Sequence, residues 1–350
     1  MFGRGSYWNS SMENKRIDHL DTCKGILMIL VVIGHAIEIV DTEYIGYWFK
    51  VIYAFHMPAF FIISGFFLNL SKWKSKGFKA FLISRCQKIL IPYFFFEYIY
   101  GIIVTFILCH PEQQDVITEG ILIFIRAFTI YVNYIPSWFL ITLFFSALLV
   151  YLLDNKDNKV IVCEIVILLA VTIIGKHFWE IKNEDYIKDL LLFAIRITLS
   201  SAFILIGLLW RRIDLTKINT PVITVGCLTL TLVIPYFTEW PSISSFTITY
   251  ISLFVITGVA GTSVVVALSK IINCKALQFI GRESLLIMGT HQVVKAILLY
   301  RFPKIYCSMY VIPIYLIGVV VFEVIAVPLL NKCVPFLVGK KDLIKSKNGG

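Results

Sequence analysis

The chain has 350 residues, 58% of them hydrophobic and only 15% charged, with a mean hydropathy of +0.83, which excludes a soluble domain and marks an integral membrane protein. The net charge of +10 comes with no nucleic-acid motif, so no nucleic-acid partner is expected. The eight cysteines are scattered singly, with neither a C-x-x-C pair nor metal-site Cys/His spacing, so no structural metal is expected.

A helix needs ~20 mostly apolar residues to cross the hydrocarbon core. In chain order such windows run from Thr22 to Val40, Val51 to Leu70, Lys88 to Cys109, Ser137 to Leu153, Val160 to Gly175, Leu190 to Trp210, Pro221 to Phe237, Ser245 to Leu268, Phe279 to Tyr300 and Tyr310 to Leu330. The expected fold is all-α: a polytopic membrane protein of about ten transmembrane helices in one domain, 22–330, after an N-terminal segment, 1–21, and before a basic tail, 331–350. The first twenty residues are polar and the first apolar run is long enough to remain a span, so no cleaved signal peptide is expected. Met12 opens "MENKRIDHLD", which leads straight into the first window, and residues 1–11 read as an extension. The segment from Glu119, with Arg126 at its middle, is too short to span and reads as interfacial or re-entrant.

Ten spans put both termini and the even-numbered connections on one side, which holds 22 of the 32 lysines and arginines, so that side is expected to be cytoplasmic. The densest cluster, Lys72, Lys74, Lys76, Lys79, Arg85 and Lys88, lies between the second and third windows. It reads either as a topology signal against anionic headgroups or as a landing site for a phosphorylated soluble substrate. Cys109 and Cys307 both fall on the outer side, where free thiols are expected over a disulfide.

Ionisable groups inside spans cost ~2.5 to 3.5 kcal/mol each on insertion scales, so they call for a cavity, a partner or a function. The windows contain or adjoin Lys24, His35, Glu38, His56, Glu97, Glu164, Arg196, His291, Lys295 and Glu323. Lys24 and His35 are eleven residues apart, which on a helix returns to nearly the same face ~16 Å further along. Lys24 alone would also fit a side chain snorkelling to headgroups. His35 and His56 each lie five residues from the outer end of their windows, and Arg196, Ser137 and Trp138 fall at a similar depth. His291 lies near the middle of its window. Glu38, three residues after His35, either orients the imidazole or faces the outer interface. Glu97, Glu164 and Glu323 have no local partner in the sequence and read as structural; Ser64, in "ISGF", reads first as a packing residue.

Five segments, "NKRIDHLDTCKGILMILVVIGHAI", "FHMPAFFIISGFFL", "IPSWFLITLFF", "RITLSSAFILIGLLWRR" and "IGRESLLIMGTHQ", resemble in order and spacing the signatures of the acyltransferase-3 family of bacterial membrane acyltransferases. The likeness covers residues 14–330 and is greatest to the fucose 4-O-acetylase-like and polysaccharide O-acyltransferase branch. It implies an enzyme of the bacterial cytoplasmic membrane that takes an acyl group from cytoplasmic acyl-CoA, usually acetyl-CoA, as co-substrate rather than tightly bound cofactor. The group goes to a hydroxyl of a cell-envelope glycan or a lipid-linked sugar. The family's pattern of a basic residue, ten positions and a histidine falls on Lys24 and His35; many members have arginine at the first position, and lysine lacks that bidentate fork.

On this reading Lys24, Arg85 and Lys88 hold the donor's phosphates, and His35 is the general base or an acyl carrier supported by Glu38. His56, Arg196 and His291 stabilise the oxyanion or position the acceptor, and Trp138, with Ser137 beside it, offers a surface for a sugar ring. A transporter or flippase for the same glycans fits the outline of charged helices, but the two halves show no evident internal repeat and the basic loop with same-face Lys24 and His35 suits a CoA donor better. A sensor or scaffold without catalysis leaves that arrangement unexplained.

Overall fold

The fold is that of a computed structural model, which describes residues 18–40, 43–103, 121, 138–153, 157–182, 185–213, 220–302 and 308–341. The described helices are α1 (Asp18–Glu38), α2 (Glu43–Phe67), α3 (Leu70–Lys76), α4 (Phe78–Arg85), α5 (Ile91–Ile102), α6 (Trp138–Leu152), α7 (Asn158–Ile181), α8 (Asp185–Ile213), α9 (Pro221–Val233), α10 (Ile251–Ile271), α11 (Lys275–Arg282), α12 (Ser284–Arg301) and α13 (Val311–Cys333). A wide π-helical turn, Cys86–Leu90, joins α4 to α5, and a 3₁₀ turn, Ile234–Phe237, extends α9. Among the described residues there is no strand.

By length and apolarity six of these can cross a membrane: α1, Ile45–Phe67 of α2, α7, Ile187–Ile213 of α8, α10 and α13. The expected count of ten therefore stands at six by this measure. The other four windows each contain a helix, but α6 and α9 are short, α5 is described only as far as Ile103, and α12 carries His291, Gln292 and Lys295. The ninth window is not one helix but α11 and α12, which meet at Glu283. There the carboxylate accepts from Asn331 at 3.0 Å and Lys340 at 2.9 Å. The eighth begins at Ile251 rather than Ser245, because 238–250 is an irregular loop. Of the residues after 330, the described ones, to 341, pack on the bundle: α13 runs on to Cys333, Val338 is buried, and Lys340 ties the following turn to α11. Cys109, Cys307 and the segment around Arg126 lie outside the described residues; the six described cysteines are free thiols.

The interior posts are α1 and α2, whose apolar windows are 67% and 78% buried, whereas α7 at 22% and α13 at 28% turn most of their surface to lipid. Side chains such as Ile167, Ile174, Val320 and Ile325 are accordingly exposed. Against α2 pack α8 on one side and α10 on the other, while α1 is clasped by α11.

In a bilayer the approach of helices is set by small residues rather than by a hydrophobic effect, and two reciprocal glycine contacts do this here. A Cβ at Gly65 of α2 would collide with the Ile204 carbonyl of α8, and one at Gly207 with the Ile62 carbonyl; Gly25 and Gly281 make the same exchange between α1 and α11. Gly65→Ala is expected to cost at least the ~1 to 3 kcal/mol of an overpacked core and to lower the yield of monodisperse protein in detergent. Gly226→Ala should leave that yield unchanged, since a Cβ at Gly226 meets nothing within 4 Å.

Candidate active site

Three helices deliver one imidazole each to one cluster in the bundle. His35 comes from the last turn of α1, His56 from α2 and His291 from α12, and the latter two are fully enclosed. The His35 and His291 rings lie 5.3 Å apart, centre to centre. Tyr53 stands edge-on between His35 and His56, with ring centres 6.2 and 4.8 Å from theirs, and its hydroxyl oxygen is 3.3 Å from His35 Nδ1.

The partners of these rings fix where their protons sit. His56 Nδ1 faces the Ile52 carbonyl at 2.7 Å, His291 Nδ1 faces the Ile287 carbonyl at 2.7 Å, and His35 Nδ1 faces Glu38 Oε2 at 2.9 Å. Carbonyl and carboxylate oxygens only accept, so each Nδ1 carries the hydrogen, and in the neutral ring each Nε2 is left with a lone pair. Gln292 Nε2 lies 3.4 Å from His291 Nε2, on which its N–H donates. Glu38 thus orients the imidazole of His35, and its Oε2 also accepts from Lys295 Nζ of α12 at 2.7 Å. Beneath the cluster, Thr290 donates to Glu323 Oε1 at 2.7 Å, giving that buried carboxyl a partner on the neighbouring helix.

Lys24, Arg85 and Lys88 come together around a second feature, a cavity of about 290 Å³ between α1, α2, α6, α12 and the π-helical turn. Ser64 lines it as well, so this serine faces the cavity while its neighbour Gly65 makes the close packing. Lys24 pairs with Asp21 at 3.0 Å and lies 5.0 Å from the centre of the Phe67 ring, so it is tethered at the cavity rather than directed along the helix surface. Arg85 packs between the rings of Trp73 and Phe81, at 5.4 and 5.1 Å, and its Nε is buried with no hydrogen-bond partner. Burial draws the guanidinium below its ordinary range, and a bound anion would offset that penalty.

The inner wall of this cavity includes Phe60 and Met288. Phe60 is four residues from His56 and Met288 three from His291, so the cavity stops about one helical turn, ~5 to 6 Å, below the imidazoles.

Arg196 and Trp138 form a separate pair. The guanidinium lies 5.9 Å from the indole centre, and its Nε donates to the Ile243 carbonyl at 3.3 Å. Two other cations hold the same loop: Lys50 donates to the Thr238 carbonyl at 2.9 Å and Lys176 to the Ile248 carbonyl at 2.7 Å. An irregular backbone segment at a membrane face needs such donors for carbonyls that no helix pairs. Through Trp240, which packs on Phe49 as Phe49 stacks on Tyr53, the loop reaches the ring cluster. Ser137 lies outside the described residues. Among the described residues no group of three His, Cys, Asp or Glu side chains is arranged to hold a metal ion.

Two members of the cluster escape a reading of the sequence alone. Tyr53 is three residues from His56, a helical neighbour that the spacing could have singled out. The contact between Lys295 and Glu38 joins residues 257 apart, and no local pattern announces it.

The family model of the acyltransferase domain, Acyl_transf_3, matches residues 17–330. "Nodulation protein NolL" of Sinorhizobium fredii is 33% identical over 169 residues, 46% of this chain and 44% of the relative. The protein of that name from Mesorhizobium japonicum is 37% identical over 98 residues, 27% of this chain and 26% of the relative. The chain thus spans less than half the length of these curated relatives. No solved structure matches it.

Proposed function

Since this chain belongs to the acyltransferase-3 family and is a membrane acyltransferase, we propose that it carries an acyl group, acetyl first of all, from cytoplasmic acyl-CoA to a hydroxyl of a cell-envelope polysaccharide or lipid-linked sugar. The observation that carries this reading is the cavity with Lys24, Arg85 and Lys88 around it, ending one turn below the imidazoles. In our topology the protein lies in the bacterial cytoplasmic membrane, ten spans in one domain with both termini cytoplasmic, and the cavity opens to the donor's side.

The cations bind the donor's phosphates, and the pantetheine arm rises past Phe60 and Met288. His35 Nε2 takes the proton of the acceptor hydroxyl as its oxygen attacks the thioester carbonyl. The C–S bond then breaks, and the proton passes to the departing thiolate, giving ester and free CoA. Glu38 holds the required tautomer and stabilises the imidazolium. With its Nδ1 hydrogen committed to the Ile52 carbonyl, neutral His56 accepts a hydrogen bond from an acceptor hydroxyl at Nε2, while the Nε2 lone pair of His291 receives the Gln292 N–H, so that His291 positions the acceptor through that amide. That leaves the Tyr53 hydroxyl as a donor toward the oxyanion. Arg196 holds the outer loop over the sugar's approach, with Trp138 beside it.

The test is turnover of radiolabelled acetyl-CoA by purified protein in proteoliposomes, with envelope glycans as acceptors. Label on glycan together with free CoA is the expected result. Glycan crossing the bilayer with no CoA released across a panel of acyl donors would replace this reading with transport.

A further inference from the structure

A lysine near the outer end of a membrane helix is costly unless it is used, and Lys295 neither lines the donor cavity nor reaches a histidine in any described contact. Its ammonium is 2.7 Å from Glu38 Oε2, the same oxygen that receives His35 Nδ1–H at 2.9 Å. The two ends of this bridge differ in freedom. The Glu38 side chain, at the terminus of α1, is 44% exposed, whereas that of Lys295, one turn beyond His291 on the same face of α12, is 18% exposed. A half-exposed carboxylate on a helix end can swing among staggered rotamers, away from the imidazole, unless a partner holds it. An ion pair this exposed adds little to stability, so its value lies in orientation.

We propose that Lys295 is a positioning residue for the transfer reaction: by anchoring Glu38 from the opposite helix it keeps the carboxylate on His35 Nδ1 and so keeps the Nε2 lone pair directed at the acceptor hydroxyl. The site is then completed across two elements, the base on α1 and its indirect support on α12. The inference rests on His35 being the general base.

The test compares Lys295→Met, Lys295→Arg, Glu38→Gln and the Lys295→Met/Glu38→Gln double variant, following CoA release in proteoliposomes. Lys295→Met should lower kcat about tenfold with the KM for acetyl-CoA unchanged, and Lys295→Arg should recover most of that loss. In the Glu38→Gln background Lys295→Met should change kcat no further, because the residue acts only through the carboxylate. Multiplicative losses in the double variant, a raised donor KM at wild-type kcat, or no recovery with arginine would overturn the proposal. If Lys295→Met does not reach the membrane as folded protein, the same comparison is read on Lys295→Gln. Full activity of His35→Ala would remove the general-base reading itself, and that is measured independently of Lys295.

Discussion

His35→Ala should lower kcat by about 10² to 10⁴, the usual worth of a positioned general base, while the protein still inserts and binds donor with an unchanged KM. Chemistry separates from architecture here, because the His35 ring bonds to Glu38 of its own helix at 2.9 Å and packs edge-on to Tyr53. Its loss leaves space in a polar layer and does not uncouple two helices. Initial rates of CoA release across a donor series, on protein shown to be monodisperse, check it. Activity within a few fold of wild type would take His35 out of the proton transfer. His56→Ala and His291→Ala belong to a different class of effect, since each ring is held by a backbone carbonyl of its own helix and, in the proposed mechanism, positions the acceptor. They should act on the acceptor KM as well as on kcat.

Much of this site is legible in the sequence because helices convert spacing into direction. Eleven residues between Lys24 and His35, three between His35 and Glu38, and equal depth for His35 and His56 are statements about one helix or one membrane layer. The last two have a counterpart in the structure: the Glu38 carboxylate bonded to the imidazole, and two rings flanking Tyr53. The lateral arrangement of helices follows from nothing of that kind. The glycine exchange holds α11 against α1, and α12, which follows α11 directly, carries Lys295 to Glu38.

The misplaced elements have a common cause. Hydropathy windows register apolar length and not the local bonds that end a helix. Residues 245–250 are apolar enough to extend α10, but their carbonyls are taken by Lys176 and the Trp240 carbonyl accepts from Thr247. Glu283 sits inside an apolar run, yet Asn331 and Lys340 hold its carboxylate where α11 gives way to α12. In both places long-range side chains decide a boundary that local composition would put elsewhere. The same holds for Arg196. Its Nε donates to the Ile243 carbonyl, a partner 47 residues away.

The double variant Lys24→Gln/Arg85→Gln should raise the KM for acetyl-CoA on the order of 10²-fold and leave kcat at saturating donor near wild type. A hydrogen bond to a charged group is worth ~1.5 to 3 kcal/mol, so losing both cations from the phosphate contacts costs that much twice, less some compensation by Lys88. Glutamine removes the charge but keeps a methylene stem beside Phe67 and between Trp73 and Phe81, so the cavity walls stay in place. The contrast with His35 is the useful part: one substitution acts a turn above the cavity on the rate, the other at the cavity's cations on donor affinity, ~16 Å away along α1. Donor titrations at several salt concentrations give a second readout, because phosphate contacts weaken as ionic strength rises. An unchanged donor KM with wild-type turnover would return both cations to a role in topology, and the donor's phosphates would have to be sought elsewhere.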